Sequence, residues 1–562
     1  MSSGKKHTVA FISWRFYFVL VAIALLVTVL ISRVVYLTLV KQSFLRTEGD
    51  ARTVRVVDIP AFRGMILDRH GHPLAVSAEV YSIWVNPQEF APQGGQWRSL
   101  HRYLNLNPQE VKAQLAHEKI KKREFYYLKR GVDPDLALSL KKSKIPGLYL
   151  QKEFKRFYPE GEVASQLLGM TNVDDRGQEG MELAFNDWLQ GVPGKKVVMR
   201  DRLGHVIADV KLLQDQKPGR HLVLSVDSRI QYLAYRELRA GVQENQAHSG
   251  TAIVLNPKTG EVLAMVNYPS FNPNHSRAAG GAIYRNLAIT DVFEPGSTIK
   301  TFSAACALDT GKFKPDTLID THPGWIRVGH NVVHDNKNNG VITLTQVLQL
   351  SSDVGTTKMI LGVPAQQLWS LLHQVGFGES TNVEFPGEQT GVLTQRRIWS
   401  PFMLATLSFG YGMSATPLQL ARAYGVLANG GIKLPVTLLK REEPPVGEPV
   451  MKAAMTREML NILETVVSSK IGTGKPAQVP GYRVAGKSGT VRMLGAGGYQ
   501  AHHHMSTFVG IAPVSNPELV VVVLLRDPLG KHYYGGAVSG PIFSKIMEGS
   551  LRILNIQPDA VA

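Results

Sequence analysis

Ser297 and Lys300 stand three positions apart in EPGSTIKTFS (294–303), directly behind Pro295-Gly296 and at the head of an apolar run. Pro and Gly interrupt the preceding segment, and the pattern from Ser297 through Leu308 predicts a helix that Gly311 ends. On a helix, positions i and i+3 share a face, so the two side chains point the same way. A serine hydroxyl is a poor nucleophile until a neighbouring base takes its proton, and a lysine amine is such a base. Lysine ordinarily titrates near about 10.4, so work at neutral pH requires surroundings that lower it by about 3, or about 4 kcal/mol. Burial and a second cation both act in that direction. The spacing alone is common, and an N-cap serine followed by a solvated lysine explains it equally well.

Two further patterns change that balance. Ser351-Ser352-Asp353 lies in LSSDVG between two helical stretches, and Lys487-Ser488-Gly489-Thr490 lies in AGKSGT among strand-like residues. Lys487 supplies the second cation. With the hydroxyls of Ser488 and Thr490 it suits a substrate carboxylate, while Gly489 lets an acyl group come close to the strand. A helix start at Ser297 would aim its positive dipole end at a developing oxyanion, with the Ser297 and Thr490 amides as donors. Ser352 reads as a spacer between Ser351 and Asp353. A serine/lysine pair on a helix, a polar triplet between helices and a Lys-Ser/Thr-Gly strand together form the motif set of penicillin-binding proteins and class A β-lactamases.

Those elements sit in a chain of 562 residues, enough for two or three domains. FYFVLVAIALLVTVLIS (16–32) carries no charge, and counted on to Val40 it can span a bilayer core of about 30 Å. The residues after it make a poor cleavage site, so it reads as an uncleaved signal anchor with Lys5, Lys6 and Arg15 on its cytoplasmic side. Residues 41–220 mix strand and helix signals: an alternating stretch at 63–77 turning at His70-Gly71, helical texture over 97–143, and a hairpin over 195–213 turning at Leu203-Gly204. From residue 221 the texture is a hairpin turning at Lys258-Thr259-Gly260, a helical middle, and apolar strands at 506–514 and 518–528. One sheet covered by helices follows from that order. The expected fold class is α+β, divided as a 1–15 cytoplasmic tail, a 16–40 anchor, a 41–220 first domain, a 221–555 second domain and a 556–562 tail.

Lys and Arg outnumber Asp and Glu by 62 to 45, for a formal charge of +17. The excess is spread along the chain with no basic-aromatic run, helix-turn-helix or zinc-knuckle spacing, which argues against nucleic acid and for a membrane surface or an anionic polymer, with a simple gain in solubility an equal reading. Cys306, the single cysteine, precludes an intramolecular disulfide and sits on the apolar face of the expected helix, as a core residue. His502-His503-His504 lacks an accompanying Asp, Glu or Cys set and reads as a solvated loop; neither a metal nor a cofactor is expected. Tyr411 and Tyr534 are candidates for aromatic walls of a cleft, with core packing an equal reading.

RGMILDRHGHPLA, RFYPEGEVASQLLGMTNVDDRGQEGMELAFN, DRLGHVI, DVFEPGSTIK, FGYGMSATPLQLARAYGVLANGG and AGKSGT, spread over nearly the whole chain, resemble the blocks of class B penicillin-binding proteins, and within them the division-specific FtsI-like branch. The resemblance implies an elongated mixed N-terminal pedestal of the dimerisation type, then a penicillin-binding transpeptidase domain. It also implies a single-pass inner-membrane protein with a periplasmic catalytic domain. Ser297 would attack the D-Ala-D-Ala of a peptidoglycan stem peptide, with Lys300, Ser351, Asp353 and Lys487 as catalytic companions and Ser488, Gly489, Thr490, Tyr411 and Tyr534 as substrate contacts. The acyl group would pass to an amine on a neighbouring strand during septal wall synthesis, and β-lactams would trap the acyl-enzyme. Implied partners are a SEDS glycosyltransferase of the FtsW type and other divisome membrane proteins.

The chain departs from that branch at Asp353, where the pattern has Asn. An amide donates to a substrate carbonyl, and an ionised carboxylate does not. A condition-specialised or elongation-type transpeptidase and a β-lactam sensor or scaffold therefore stand as alternative readings, and so does a D,D-carboxypeptidase, which would use the same residues with water as acceptor. A β-lactamase is disfavoured because no base for activating water is identifiable.

Overall fold

A computed structural model describes residues 13–200, 206–275, 281–495 and 497–560. Lys5, Lys6 and the expected turn at Leu203-Gly204 lie outside the described residues. The chain enters as a helix, Ser13–Val35, prolonged by a π-helical turn at Tyr36–Val40. Within Trp14–Val40 an 18-residue window reaches a mean hydropathy of 2.8, no residue of the stretch is buried, and at about 1.5 Å per residue it is long enough to cross a membrane.

In the first domain the long strand Pro73–Val85 pairs antiparallel with Leu148–Phe157 and with Tyr126–Val132. Ile83, Val85, Phe90, Leu100, Leu104, Leu115 and Leu140 form the core beneath it. Tyr126–Val132 interrupts the stretch expected to be helical throughout. Its aromatic side chains are half-buried against the neighbouring strands, so packing decides over the Lys/Gln/Ala texture around it. A separate three-stranded sheet joins Val54–Ile59, Gly194–Arg200 and Val206–Gln214. Arg63 and Arg156 converge on the buried Glu182 carboxylate at 2.7 and 2.6 Å. Ile66–Leu67 pairs parallel with Leu222–Val223, and the Ser228 hydroxyl donates to Asp68 at 2.8 Å, tying this domain to the next.

The second domain is built on one sheet of strands β1 (Ala247–Leu255), β2 (Val262–Tyr268), β3 (Ala485–Gly495), β4 (Gly498–Ala512) and β5 (Leu519–Pro528). Their spatial order is β2-β1-β5-β4-β3, and every neighbouring pair is antiparallel. Its helices include α1 (Ser228–Glu244), α2 (Lys300–Asp309), α3 (Leu344–Leu350), α4 (Asp353–Leu361), α5 (Pro417–Ala428), α6 (Ala453–Ser468) and α7 (Gly535–Ile553). Side chains alternate across a strand, and in β5 both sets are apolar because both faces are covered. Val521, Val523 and Leu525 join α1 and α7 residues such as Leu238, Phe543 and Ile546. Val520, Val522 and Leu524 face α2, α5 and α6 through Phe302, Tyr424 and Leu463. The fold is thus α+β, with an apolar N-terminal helix, a mixed first domain and a helix-covered antiparallel sheet. Strand β3 lies at the sheet edge and packs against the short turn Gly296–Ile299 that precedes α2, which leaves Lys487 to Thr490 next to Ser297.

Candidate active site

The turn is the first element to build. Pro295 fixes the approach, and Gly296 adopts φ +55. A β-carbon at Gly296 would lie 2.3 Å from Cγ1 of Val491, and the Gly296 amide donates to Gly410 O at 3.2 Å. Only glycine fits both the conformation and the space. Ser297 follows within a 3₁₀ turn, Gly296–Ile299, and α2 begins at Lys300, whose amide donates to Ser297 O. The helix expected from Ser297 therefore starts three residues later, because the chain has to tighten between Val491 and Gly410. The consequence favours the pairing: in a 3₁₀ turn positions i and i+3 eclipse, so Ser297 and Lys300 stack on one side. Ser297 is half-exposed and Lys300 fully buried. At the other end Gly311, at φ +70, donates its amide to Leu308 O and closes α2. Cys306 is buried in the core, and burial pushes its thiol up to about 12, away from nucleophilic use.

Ser351 terminates α3 in the left-handed conformation, φ 57, and α4 starts two residues later. The reversal turns both oxygens of Ser351 toward the lysines. Lys300 Nζ donates to Ser351 O at 2.5 Å and to its Oγ at 3.2 Å. Lys487 Nζ reaches the same Oγ at 3.0 Å, and it also donates to Ser488 O at 3.0 Å. Asp353, the first residue of α4, brings Oδ1 to 2.6 Å from Lys300 Nζ. Lys487 is completely buried, and that burial, reinforced by the positive charge of Lys300, holds its ammonium well below the usual lysine range; Asp353 opposes the shift. Two amines, one hydroxyl and one carboxylate thus form a connected group in which a proton can be passed through a single oxygen.

Gly489 serves a closer approach than expected. Its missing β-carbon would lie 3.1 Å from both Pro295 O and Thr298 Cγ2, so the glycine admits the Ser297 turn itself against the strand. Ser488 Oγ donates to Thr473 Oγ1 at 3.1 Å, in the segment after α6, and Thr490 Oγ1 accepts from the Gly535 amide at the start of α7 at 2.9 Å, so both hydroxyls are engaged. Tyr411 packs edge-on against Phe409 and Tyr499, at 5.8 and 5.7 Å. Burial, then the charges of Asp353 and Glu294, push its hydroxyl up to about 12. Tyr534 is half-exposed beside α7 and stacks on Tyr533 at 4.5 Å.

Several residues of the site carry no motif. Glu294 accepts from the Tyr499 hydroxyl at 2.9 Å and from the Gly412 amide at 3.0 Å, joining the turn before Ser297 to the β3–β4 hairpin. Ser352 is buried rather than a spacer: its Oγ accepts from the Gly355 amide at 2.8 Å and donates to Asp335 at 2.5 Å. His502 to His504 lie in β4 and not in a loop; ladder pairing extends this ribbon although its side chains are largely exposed. His503 Nδ1 is 2.8 Å from Asp527 Oδ2, and His504 stacks on Tyr533 at 4.2 Å. Among the described residues no three His, Cys, Asp or Glu side chains gather as a metal set. A mainly apolar cavity of about 370 Å³ opens beside Phe293, Val491, Met493 and Leu524; Ser297 and both lysines lie outside its lining, so it neighbours the candidate site without being it.

Residues 58–224 match the penicillin-binding protein dimerisation domain, and residues 250–548 match the penicillin-binding protein transpeptidase domain. The peptidoglycan D,D-transpeptidase FtsI of Escherichia coli is 41% identical over 556 residues, 98% of this chain and 94% of that one. "Probable peptidoglycan D,D-transpeptidase PbpC" of Pseudomonas aeruginosa is 41% identical over 559 residues, 100% of this chain and 97% of that one. The crystal structure of a peptidoglycan synthetase from Bifidobacterium adolescentis superposes with a TM-score of 0.71 at 25% identity, over 91% of this chain and 98% of that one.

Proposed function

The chain belongs to the penicillin-binding proteins that join a dimerisation domain to a transpeptidase domain, and from that membership we propose a serine acyl-enzyme mechanism centred on Ser297. It is a peptidoglycan D,D-transpeptidase of the FtsI-like kind, acting on peptidoglycan and binding β-lactams. The observation that carries the mechanism is Ser351 Oγ, held 3.0 Å from Lys487 Nζ and 3.2 Å from Nζ of Lys300, the residue one turn after Ser297.

In that mechanism Ser297 Oγ attacks the carbonyl carbon of the penultimate D-Ala of a stem peptide. Its proton passes to the lysine pair, with Ser351 Oγ as the bridge by which Lys300 and Lys487 share it. The Ser297 and Thr490 amides hold the oxyanion. When the tetrahedral intermediate collapses, the C–N bond breaks and the shared proton goes to the amine of the departing D-Ala. Attack by an amine of a neighbouring strand reverses these steps and forms the cross-link. Lys487, Ser488 and Thr490 line the side on which the substrate carboxylate binds, Gly489 keeps strand and turn together, and Tyr411 and Tyr534 border the cleft. A β-lactam amide follows the same first half and stays attached.

The N-terminal helix anchors the chain in the inner membrane as a single pass, with both domains on the periplasmic side. A SEDS glycosyltransferase of the FtsW type supplies the glycan strands during septation, alongside other divisome membrane proteins. A stem pentapeptide offered with an amine acceptor tests the reaction type: D-Ala release should be accompanied by the cross-linked product, and hydrolysed tetrapeptide as the sole product would make the protein a carboxypeptidase.

A further inference from the structure

Asp335 stands outside every recognised motif, sixteen residues before Ser351, just after the strand Asn331–His334. Its backbone N–H donates to Gly324 O at 2.9 Å, and Asn339 Nδ2 donates to its Oδ2 at 3.0 Å. The other contacts all go to one turn. Oδ2 accepts from Ser352 Oγ at 2.5 Å and Oδ1 from the Val354 amide at 2.9 Å. Residues 352 and 354 flank Asp353, and Ser352 follows the left-handed Ser351 directly. A residue with a β-carbon enters the left-handed region at a cost, so the Ser351 conformation has to be imposed by its neighbours. The turn in question is the one that delivers Ser351 Oγ and O and Asp353 Oδ1 to Lys300 and Lys487.

We propose that Asp335 is a positioning residue for acylation: its carboxylate clamps both sides of the Ser351–Asp353 turn and so sets Ser351 Oγ between the two lysine amines. The proposal rests on the assignment of that pair to the Ser297 reaction. Asp335 itself touches neither lysine. The carboxylate accepts from a hydroxyl and from an amide, which an isosteric amide side chain does not reproduce, since its nitrogen has no acceptor lone pair to offer.

The test uses the full-length chain in detergent and fluorescent penicillin, with acylation followed to saturation. Asp335→Asn is expected to lower the limiting acylation rate by about a hundredfold, the scale at which small misplacements act, while leaving the half-saturating penicillin concentration and the melting temperature near wild type. In a Ser351→Ala background the same substitution is expected to produce little further loss, because the group it positions is gone. Wild-type acylation by Asp335→Asn overturns the proposal, and so does an equal loss in both backgrounds, which would mark a scaffolding role. Should Asp335→Asn not fold, Ser352→Ala takes its place in the same cycle with a smaller expected loss. Failure of the wild type to be acylated would instead strike the functional reading, and the proposal with it.

Discussion

Asp353 Oδ1 lies 2.6 Å from Lys300 Nζ, so the residue that replaces the expected asparagine is an ion-pair partner of the lysine nearest Ser297 in sequence. The carboxylate is about one-third exposed and the ammonium fully buried, so the pair reaches solvent from the Asp353 side. Such a carboxylate serves as an acceptor for the lysine and does not take over the donor role of an amide.

A pH profile follows from that pairing. Acylation by wild type and by Asp353→Asn, measured from pH 5 to 8, is expected to fall toward pH 5 in parallel. A wild-type rate that rises in mild acid while the Asn variant falls would show that a protonated Asp353 donates to the substrate.

Lys487 should limit stability while serving the reaction. Its folded-state ammonium is disfavoured by burial and by Lys300, so the unfolded chain binds more protons at this position. Stability linked to Lys487 is therefore complete only above its unfolded value of about 10.4 and declines as pH falls toward the lower folded value. Lys487→Met is expected to melt higher than wild type at pH 7, with the difference shrinking between pH 8 and 10, and to acylate poorly. A variant that melts lower than wild type across that range contradicts the assignment of a buried, disfavoured charge.

Gly296→Ala is expected to lose both stability and labelling. The new methyl meets Val491 Cγ1 at 2.3 Å in a left-handed backbone, a combination worth about 2–4 kcal/mol. Chemical denaturation measures the loss; a stability within about 0.5 kcal/mol of wild type would mean the turn relaxes freely.

Removal of residues 1–50 should leave a soluble protein that acylates at the wild-type rate. The deletion stops short of the strand Val54–Ile59, and every candidate site residue lies beyond residue 221. A folded truncated protein that binds no penicillin would show that the anchor contributes to the site.

Much of the site was legible because its chemistry depends on residue types at short fixed spacings. Ser297 and Lys300 stand one turn apart where a 3₁₀ turn runs into α2, and Lys487 through Thr490 fall on one strand, so local periodicity sets their directions. What the spacing did not carry is how distant segments constrain one another. The 3₁₀ start at Gly296 comes from Val491 and Gly410, far along the chain, and no local propensity encodes it. Ser352 looked inert because its partner, Asp335, sits in the polar run HDNKNNG, which reads only as a turn. The histidines of β4 gave no alternation to read, since that part of the ribbon has exposed faces and is held by ladder pairing together with the contacts of His503 to Asp527 and His504 to Tyr533, both distant in sequence. In the first domain, Tyr126–Val132 was hidden by helix-forming neighbours and becomes a strand through its pairing with Pro73–Val85.

The central claim is that Ser297 is the residue acylated, with Lys300 taking part in its activation. Peptide mass spectrometry of the penicillin-treated protein measures this most directly. The expected result is one covalent adduct on the peptide containing Ser297, none in Ser297→Ala, and acylation slowed by about 10²- to 10⁴-fold in a folded Lys300→Ala variant. An adduct on Ser351 or Ser488, or undiminished labelling of Ser297→Ala, would contradict it.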